Sequence, residues 1–474
     1  MQLSEEQLRP LDRPGPSYTS YPSADRFVEA FGAEQVRQML RQRSHGIGAG
    51  ASAPLSLSVH LPFCAAVCFC AWNMTAWNTT ARNTTACNKK TTQHDPRGLG
   101  YLGLLRQEIG LYVAELGTGQ AVSQLVLGAG SGISLSDDEL AQLMALLHAA
   151  FKFNPGAELA IEADPRTTNA QQLARWSGMG FNRISFCIQD FDDKAARAAH
   201  RTQALADVQA LVDAARALAY GSINVNLAYG LPHQTEVSLA RALAQVAALR
   251  PTRIALYDHA DLPKHLKQPR RSHSADLPSI TRRMDLLGAA ITALLAQGYV
   301  YIGMDLLALP DDPLVVAKRQ GRLQRNFQGY STQSDGDTLG LGVGAIGRMG
   351  ASYSQNAPSL QAYRDALALG CLPVVRGLAL SREDLLRRSV IMGLVCQGRV
   401  DFESITLAHL VELPQALARP LAELQALQPS GLVAVTQRDI QVTPLGRFFV
   451  RTLASVFDQH LQRDAARERF SSVI

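Results

Sequence analysis

Residues 55–70 read LSLSVHLPFCAAVCFC. Its first part, Leu55 to Leu61, is a short leucine- and valine-bearing run, a candidate strand. Cys64, Cys68 and Cys70 then crowd into the seven residues that close the stretch. Outward from this point, comparable runs recur at Gln124 to Leu127, Leu159 to Glu162, Arg183 to Gln189, Ile223 to Tyr229 and Arg253 to Tyr257, with a seventh at Tyr299 to Met304. Segments of helical period separate them, an alternation that predicts repeated βα units and a parallel sheet. Right-handed crossovers curl such units into a full or partial barrel, whose ligands sit at the C-terminal ends of the strands.

The intervening segments carry the helix signals in detail. Leu102, Leu105, Ile109, Tyr112, Val113 and Leu116 recur at spacings of three and four, one buried face of a helix. Ser136 followed by Glu139 predicts a capping box, in which each side chain accepts a backbone N–H that the first turn leaves unpaired. Leu140, Leu143, Leu147 and Phe151 form the stripe behind it. Leu205, Val208, Leu211, Val212, Ala215 and Leu218 precede Gly221, a C-terminal stop because glycine takes positive φ without steric cost. Leu239, Leu243 and Val246 precede Pro251, and Ile280, Met284, Leu287, Ile291 and Leu294 precede Gly298.

Three units are expected: an N-terminal extension over 1–54 packing on the barrel, the barrel over 55–375, and a smaller, mainly helical domain over 376–474. The last has two short strands, Leu432 to Val435 and Ile440 to Val442, and Thr443–Pro444 as N-cap and first-turn proline of a final helix, a winged-helix-like pattern. It lacks a basic cluster on a recognition helix, so docking on the barrel is expected and nucleic acid is not. AWNMT, AWNTT, ARNTT and ACNKK, Ala71 to Lys90, form a tandem five-residue repeat with neither helical nor strand period, expected as an inserted loop over 71–95. Asn73, Asn78 and Asn83 begin N-x-T sequons that read as accidents of the repeat.

The 474 residues, 47% hydrophobic, suffice for one large domain of roughly 250 to 300 residues and a smaller one. The start, MQLSEEQLRPLDRPGPSYTSYP, lacks the pattern of a secretory signal, and no run approaches about 18 uninterrupted apolar residues. A cytoplasmic monomer without membrane contact is expected. The formal charge of +5 favours anionic ligands mildly and settles no partner class.

Seven cysteines are too few and too unevenly placed for a disulfide framework, so the crowded three point to metal or cluster ligation. Three thiolates hold a [4Fe–4S] cluster when the fourth iron must stay open, and a short loop lets the sulfurs converge. Zinc on Cys64, Cys68, Cys70 and Cys87 fits the usual structural spacings poorly. Cys187, Cys371 and Cys396 lie among apolar residues and read as small buried side chains.

VHLPFC with its following cysteines resembles the cluster loop of radical S-adenosylmethionine (SAM) enzymes, in the branch of oxygen-independent coproporphyrinogen III oxidase. GPSYTSYP, IEADPR at Ile161, IQDF at Ile188, HRTQ at His200, YGLPHQT at Tyr229, RNFQGY at Arg325, LGVGAIG at Leu341 and the final FSSVI extend that resemblance over nearly the whole chain. It implies a partial (β/α) barrel of the radical SAM type with a winged-helix-like C-terminal domain. It also implies cluster ligands at Cys64, Cys68 and Cys70, with Phe69 beside the last. SAM contacts are implied at Gly130, Ser131, Glu162, Gln189, Arg201, Ala260 and Ile346, and at the altered positions Ser58, Ala129 and Asn226.

Those alterations matter chemically. The family spacing is C-x3-C-x2-C, and here the last gap is one residue short. Ser58 stands where the family has tyrosine, Ala129 opens its Gly-Gly-Thr-Pro loop, Asn226 replaces its aspartate, and Trp72 falls at a further catalytic cysteine. Asparagine still accepts a hydrogen bond but carries no charge, and alanine adds a methyl group where backbone approaches a ligand. Three readings stay open: Cys70 reaches the cluster through a strained loop, Cys87 supplies the third thiolate after a long excursion, or the cluster is absent or labile.

The activity implied is oxidative decarboxylation of coproporphyrinogen III. A 5′-deoxyadenosyl radical takes hydrogen from a propionate, and loss of carbon dioxide and one electron leaves a vinyl group. Two rounds give protoporphyrinogen IX, with an unidentified electron donor. Lys264, Lys267, Arg270 and Arg271 are candidates for the propionates. The other reading is a homologue that binds a porphyrin, haem or SAM without radical chemistry.

Overall fold

The computed structural model describes residues 11, 15–47, 53–61, 97–128, 135–191, 203–258, 278–304, 306–333 and 336–463. Helix α1 (Ala33–Ser44) precedes the alternation β1 (Leu55–His60), α2 (Arg97–Leu116), β2 (Gln120–Gly128), α3 (Asp137–Ala150), β3 (Phe151–Ala163), α4 (Ala170–Gly178), β4 (Arg183–Gln189), α5 (Leu205–Ala217), β5 (Ser222–Tyr229), α6 (Glu236–Leu249), β6 (Arg253–Asp258) and α7 (Ile280–Ala296). Strands β1 to β6 lie side by side in that order and all pair in parallel. The six runs identified in the sequence are these six strands.

Alternation along each strand sorts the residues. In β1, Leu55, Leu57 and Val59 are buried while Ser56, Ser58 and His60 between them are only partly so. The apolar set joins one core with Leu105 and Ile109 of α2, Leu143 and Leu147 of α3, Val208 and Val212 of α5, and Leu243 and Val246 of α6. The polar set of each strand is left for the concave face of the barrel.

The seventh run departs from expectation. β7 (Val300–Gly303) pairs antiparallel with β8 (Leu306–Ala308), which itself pairs antiparallel with β6. The parallel series therefore stops at β6 on that side, and the β7–β8 pair ends the sheet. On the other side β11 (Thr338–Leu341) adds to β1 in parallel, followed by the antiparallel β12 (Ile346–Arg348), β13 (Ser352–Asn356) and β14 (Val374–Ala379). Helix α8 (Pro313–Arg319) and the hairpin β9 (Gln324–Asn326) and β10 (Gly329–Ser331) lie between β8 and β11, and α9 (Leu360–Ala368) lies between β13 and β14. The sheet thus continues to Ala379, past the boundary expected at 375.

Ser136 caps α3 as read: its Oγ accepts Glu139 N–H at 3.2 Å, and Glu139 Oε2 accepts Ser136 N–H at 2.7 Å. Ser136→Ala is expected to lower stability by about 1 kcal/mol, measured as a shift in the denaturant midpoint at unchanged slope. Two helix ends differ from the reading. Phe151 is not in the α3 stripe but opens β3 directly after it. The stop after α5 is made by Ala219, at φ 57°, before Gly221 is reached.

After β14 come α10 (Arg382–Met392), a π-helical turn Gly393–Gln397, and β15 (Arg399–Asp401). Then follow α11 (Phe402–His409), α12 (Leu413–Ala416), α13 (Ala418–Gln425), β16 (Val433–Val435), β17 (Asp439–Val442) and α14 (Val450–Ser455). β15, β17 and β16 form a three-stranded antiparallel sheet, so the wing has one strand more than the two expected. Thr443 Oγ1 accepts Gly446 N–H at 2.9 Å, but the turn it caps is 3-10, and α14 begins only at Val450.

The N-terminal segment straddles both units. Val28 and Gly377 exchange backbone hydrogen bonds of 2.8 and 3.0 Å, which fixes it to β14. Tyr18 and Tyr21 are buried in the apolar core of the C-terminal unit, and Thr452 Oγ1 donates to Leu11 O at 3.0 Å.

Candidate active site inside the barrel

A cavity of about 390 Å³ occupies the concave face. Its wall comes from β2 to β6, and the β9–β10 hairpin, the stretch Pro16–Ser20 and the segment from Arg447 to Arg451 also line it. The strand alternation delivers Gln124, Glu158, Glu162, Arg183, Ser185, Asn224, Asn226 and Arg253 to a wall that also holds apolar residues such as Val126, Ala160 and Leu256.

These side chains hold one another. Arg183 Nη2 donates to Glu158 Oε1 at 2.6 Å, and Thr332 Oγ1 donates to the same oxygen at 3.2 Å. Arg253 forks onto both oxygens of Asp312 at 2.8 and 3.0 Å, and Asp312 Oδ1 also caps α8 through Leu314 N–H at 2.8 Å. Arg283 pairs with Asp258. Asn224 Nδ2 donates to Ser185 Oγ at 2.6 Å and to Asn226 Oδ1 at 2.8 Å, which fixes the orientation of the Asn226 amide.

Of the residues picked out in the sequence, Glu162 and Asn226 line this cavity. Ser58 stands in register with Val126, another lining residue, and with Gly340 of β11. Gln189 ends β4, and its side chain lies outside the described residues. Ile346 is not brought to the cavity: it is buried on β12 in an apolar cluster with Ala24, Phe27 and Tyr353. Cys64, Cys68, Phe69, Cys70, Ala129, Gly130, Ser131, Arg201 and Ala260 lie outside the described residues, as do the 71–90 repeat and Lys264, Lys267, Arg270 and Arg271. Among the other cysteines, Cys396 is buried, as read, whereas Cys371 is partly exposed, a correction to its reading as a buried side chain. Cys187 is buried, as read.

The end of β1, from which the cysteine stretch departs, is buttressed from behind. Tyr101 OH donates to His60 O at 2.8 Å and accepts Val343 N–H at 2.9 Å, and His60 Nδ1 meets Val343 O. Gly342, at φ 100°, is needed there: a Cβ would come within 2.4 Å of His60 O and 2.5 Å of Tyr101 OH. Behind the turn sits Glu108 of α2, fully buried, accepting from Gly342 N–H at 2.7 Å, Asn356 Nδ2 at 2.6 Å and Tyr363 OH at 2.5 Å. The glycine-rich stretch around Gly342 is therefore the β11–β12 connection, packed under β1.

The sequence reading missed the cavity arginines. Arg183 and Arg253 each open a strand and Arg325 lies in RNFQGY, so the signal was a basic residue at inward parity.

Residues 380–449 match the family model described as the HemN C-terminal domain. Over 461 residues the chain is 39% identical to oxygen-independent coproporphyrinogen III oxidase of Escherichia coli, covering 97% of this chain and 96% of that one. Over 471 residues it is 38% identical to the Pseudomonas aeruginosa protein of the same name, covering 98% of each. Among solved structures, coproporphyrinogen III oxidase (HemN) from Escherichia coli, described as a radical SAM enzyme, superposes with a TM-score of 0.84 at 38% identity, covering 94% of this chain and 98% of that chain. With named relatives at 38–39% identity and a solved structure superposed over nearly the full length, the chain belongs to the oxygen-independent coproporphyrinogen III oxidase family.

Proposed function

We propose that this protein carries out the oxygen-independent oxidative decarboxylation of coproporphyrinogen III to protoporphyrinogen IX, using SAM and a [4Fe–4S] cluster. The observation that carries the reading is the full-length match to the named oxidases, joined to a cavity whose inward face has the donors and acceptors such ligands require. Cys64, Cys68 and Cys70 would hold the cluster just beyond β1. Glu162 suits the ammonium end of SAM, and the amide of Asn226, fixed by Asn224, suits a ribose hydroxyl. When bound, the cluster and SAM together supply the radical that takes a hydrogen atom from a propionate.

The protein's own contribution is positional. The inward polar residues orient SAM and substrate, and the hairpin, the N-terminal stretch and the C-terminal unit cover the cavity, which limits water at the reacting carbon. The division stays an N-terminal extension over 1–54, a barrel from 55 and a C-terminal unit to 474, with the barrel's end moved from the expected 375 to Ala379, where the last sheet strand stops. The same reading makes the protein a cytoplasmic monomer served by a separate electron donor, acting without nucleic acid or membrane. In support, no described helix is long and apolar enough to cross a membrane. The short last cysteine gap, Ser58, Ala129 and Asn226 favour the second reading, a porphyrin, haem or SAM binder without radical chemistry.

One assay separates the two. Anaerobically reconstituted protein is given reductant, SAM and coproporphyrinogen III, and the products are followed. The oxidase is expected to release two carbon dioxide per protoporphyrinogen IX and to cleave SAM in step. Porphyrin binding with no bound iron and no SAM cleavage would establish the binder.

A further inference from the structure

The described residues that line the cavity include six arginines, Arg183, Arg253, Arg283, Arg325, Arg447 and Arg451, against three carboxylates, Glu158, Glu162 and Asp258. Arg253 is committed to Asp312 and Arg283 to Asp258. Arg325, like Arg447, has no carboxylate partner among the described residues, and its Nε, like that of Arg283, is buried without a hydrogen-bond acceptor. Arg183 spends Nη2 on Glu158, yet its Nε and Nη1 are likewise buried and unpartnered. Buried guanidinium donors left unmade are costly, so an acceptor is expected to reach them when the site is filled.

Arg325 is held ready for such an acceptor. It stands directly across the β9–β10 hairpin from Tyr330, with Cζ 4.8 Å from the centre of that ring. Tyr330 is fixed in turn, because its OH donates to Val395 O at 2.9 Å, a carbonyl within the π-helical turn of the C-terminal unit. A planar guanidinium stacked on an anchored ring loses little freedom when it forks onto a carboxylate.

We infer that Arg325 and Arg183 bind propionate carboxylates of the tetrapyrrole substrate and set the selectivity for its carboxylated edge. This rests on the function proposed above and names residues for it within the described cavity, in place of the basic stretch at Lys264 to Arg271. Tyr330 acts as a positioning residue for Arg325.

The test uses the full chain and coproporphyrin III, the stable oxidised form of the substrate, with binding read by fluorescence quenching. Its uncharged tetramethyl ester is the control. Arg325→Gln is expected to weaken tetra-acid binding about tenfold or more and to leave ester binding unchanged. Arg325→Lys is expected to recover part of the loss, since it restores charge without the fork. Arg183→Gln should act similarly, but it also strips Glu158 of its partner, so Arg325 carries the decision. Equal tetra-acid affinity in parent and Arg325→Gln, or equal losses for acid and ester, overturns the assignment and leaves the oxidase reading standing if the parent still cleaves SAM. A parent that binds no tetra-acid porphyrin overturns both.

Discussion

Glu108→Gln is expected to destabilise the protein by about 2 to 3 kcal/mol, read as a fall of roughly 4 °C or more in the first melting transition. The substitution is nearly isosteric, so the effect comes from hydrogen-bond polarity alone. Oε2 of Glu108 faces the backbone N–H of Gly342, and Oε1 faces Nδ2 of Asn356. Neither donor can turn into an acceptor: the first is main chain, and the Asn356 amide is pinned because Nδ2 also donates to Gly342 O at 2.8 Å and Gly340 O at 3.3 Å. A glutamine NH2 placed at either oxygen position therefore meets another N–H. The carboxyl avoids the conflict in both protonation states, since Tyr363 OH is free to donate or accept.

Burial pushes the Glu108 carboxyl up to about 7, against 4.5 in an exposed chain, although all three partners donate to it and favour the anion. A raised acid pKa means the folded state holds a proton that the unfolded chain releases. The stabilisation is complete below about 4.5 and is lost as pH rises through about 7. The gap between parent and Glu108→Gln is therefore expected to be widest at about pH 4.5 and to narrow as pH rises through about 7. A gap that widens instead would show that the group is ionised in the fold at neutral pH. Because Glu108 supports the turn under His60, the variant should also hold less reconstituted iron.

Glu108 illustrates how far the sequence could be read. It lies three residues after Leu105 and four before Tyr112, on the same face as the apolar stripe of α2, but the stripe was read from its apolar members and passed over it. What the stripe could not provide were its partners, which come from a turn, a strand and a helix more than two hundred residues later. The six parallel strands were legible because each is an apolar run bounded by a helix of clear period. β11 to β14 were not, being short, rich in glycine and serine, and paired with distant or antiparallel neighbours. The site divided in the same way. Glu162 and Asn226 could be placed from motif and strand position, whereas Arg183 and Arg325 became candidates only once the inward parity of β4 and the fold of the hairpin were known.

The largest functional effect is expected at the cysteines. Cys64→Ala and Cys68→Ala should each reduce reconstituted iron from about four per chain to background and abolish SAM cleavage, because a cluster with one open iron needs all three thiolates. The third thiolate is the chemically open point. A gap of one residue between Cys68 and Cys70 places successive thiols closer than the two-residue gap of the family, while Cys87 lies in ACNKK, which resembles the residues that follow the family's third cysteine. Cys70 needs only local adjustment of the backbone, whereas Cys87 requires the chain to return after a long excursion and bear the loop-closure entropy of that return. Iron is therefore expected to be lost in Cys70→Ala and retained in Cys87→Ala, with the electron paramagnetic resonance signal of the retained cluster shifting on addition of SAM. The reverse pattern would assign the third ligand to Cys87 and make the repeat part of the cluster site. Loss in both would mean that each thiol is required, and iron at background in the parent itself would leave the porphyrin or SAM binder as the function.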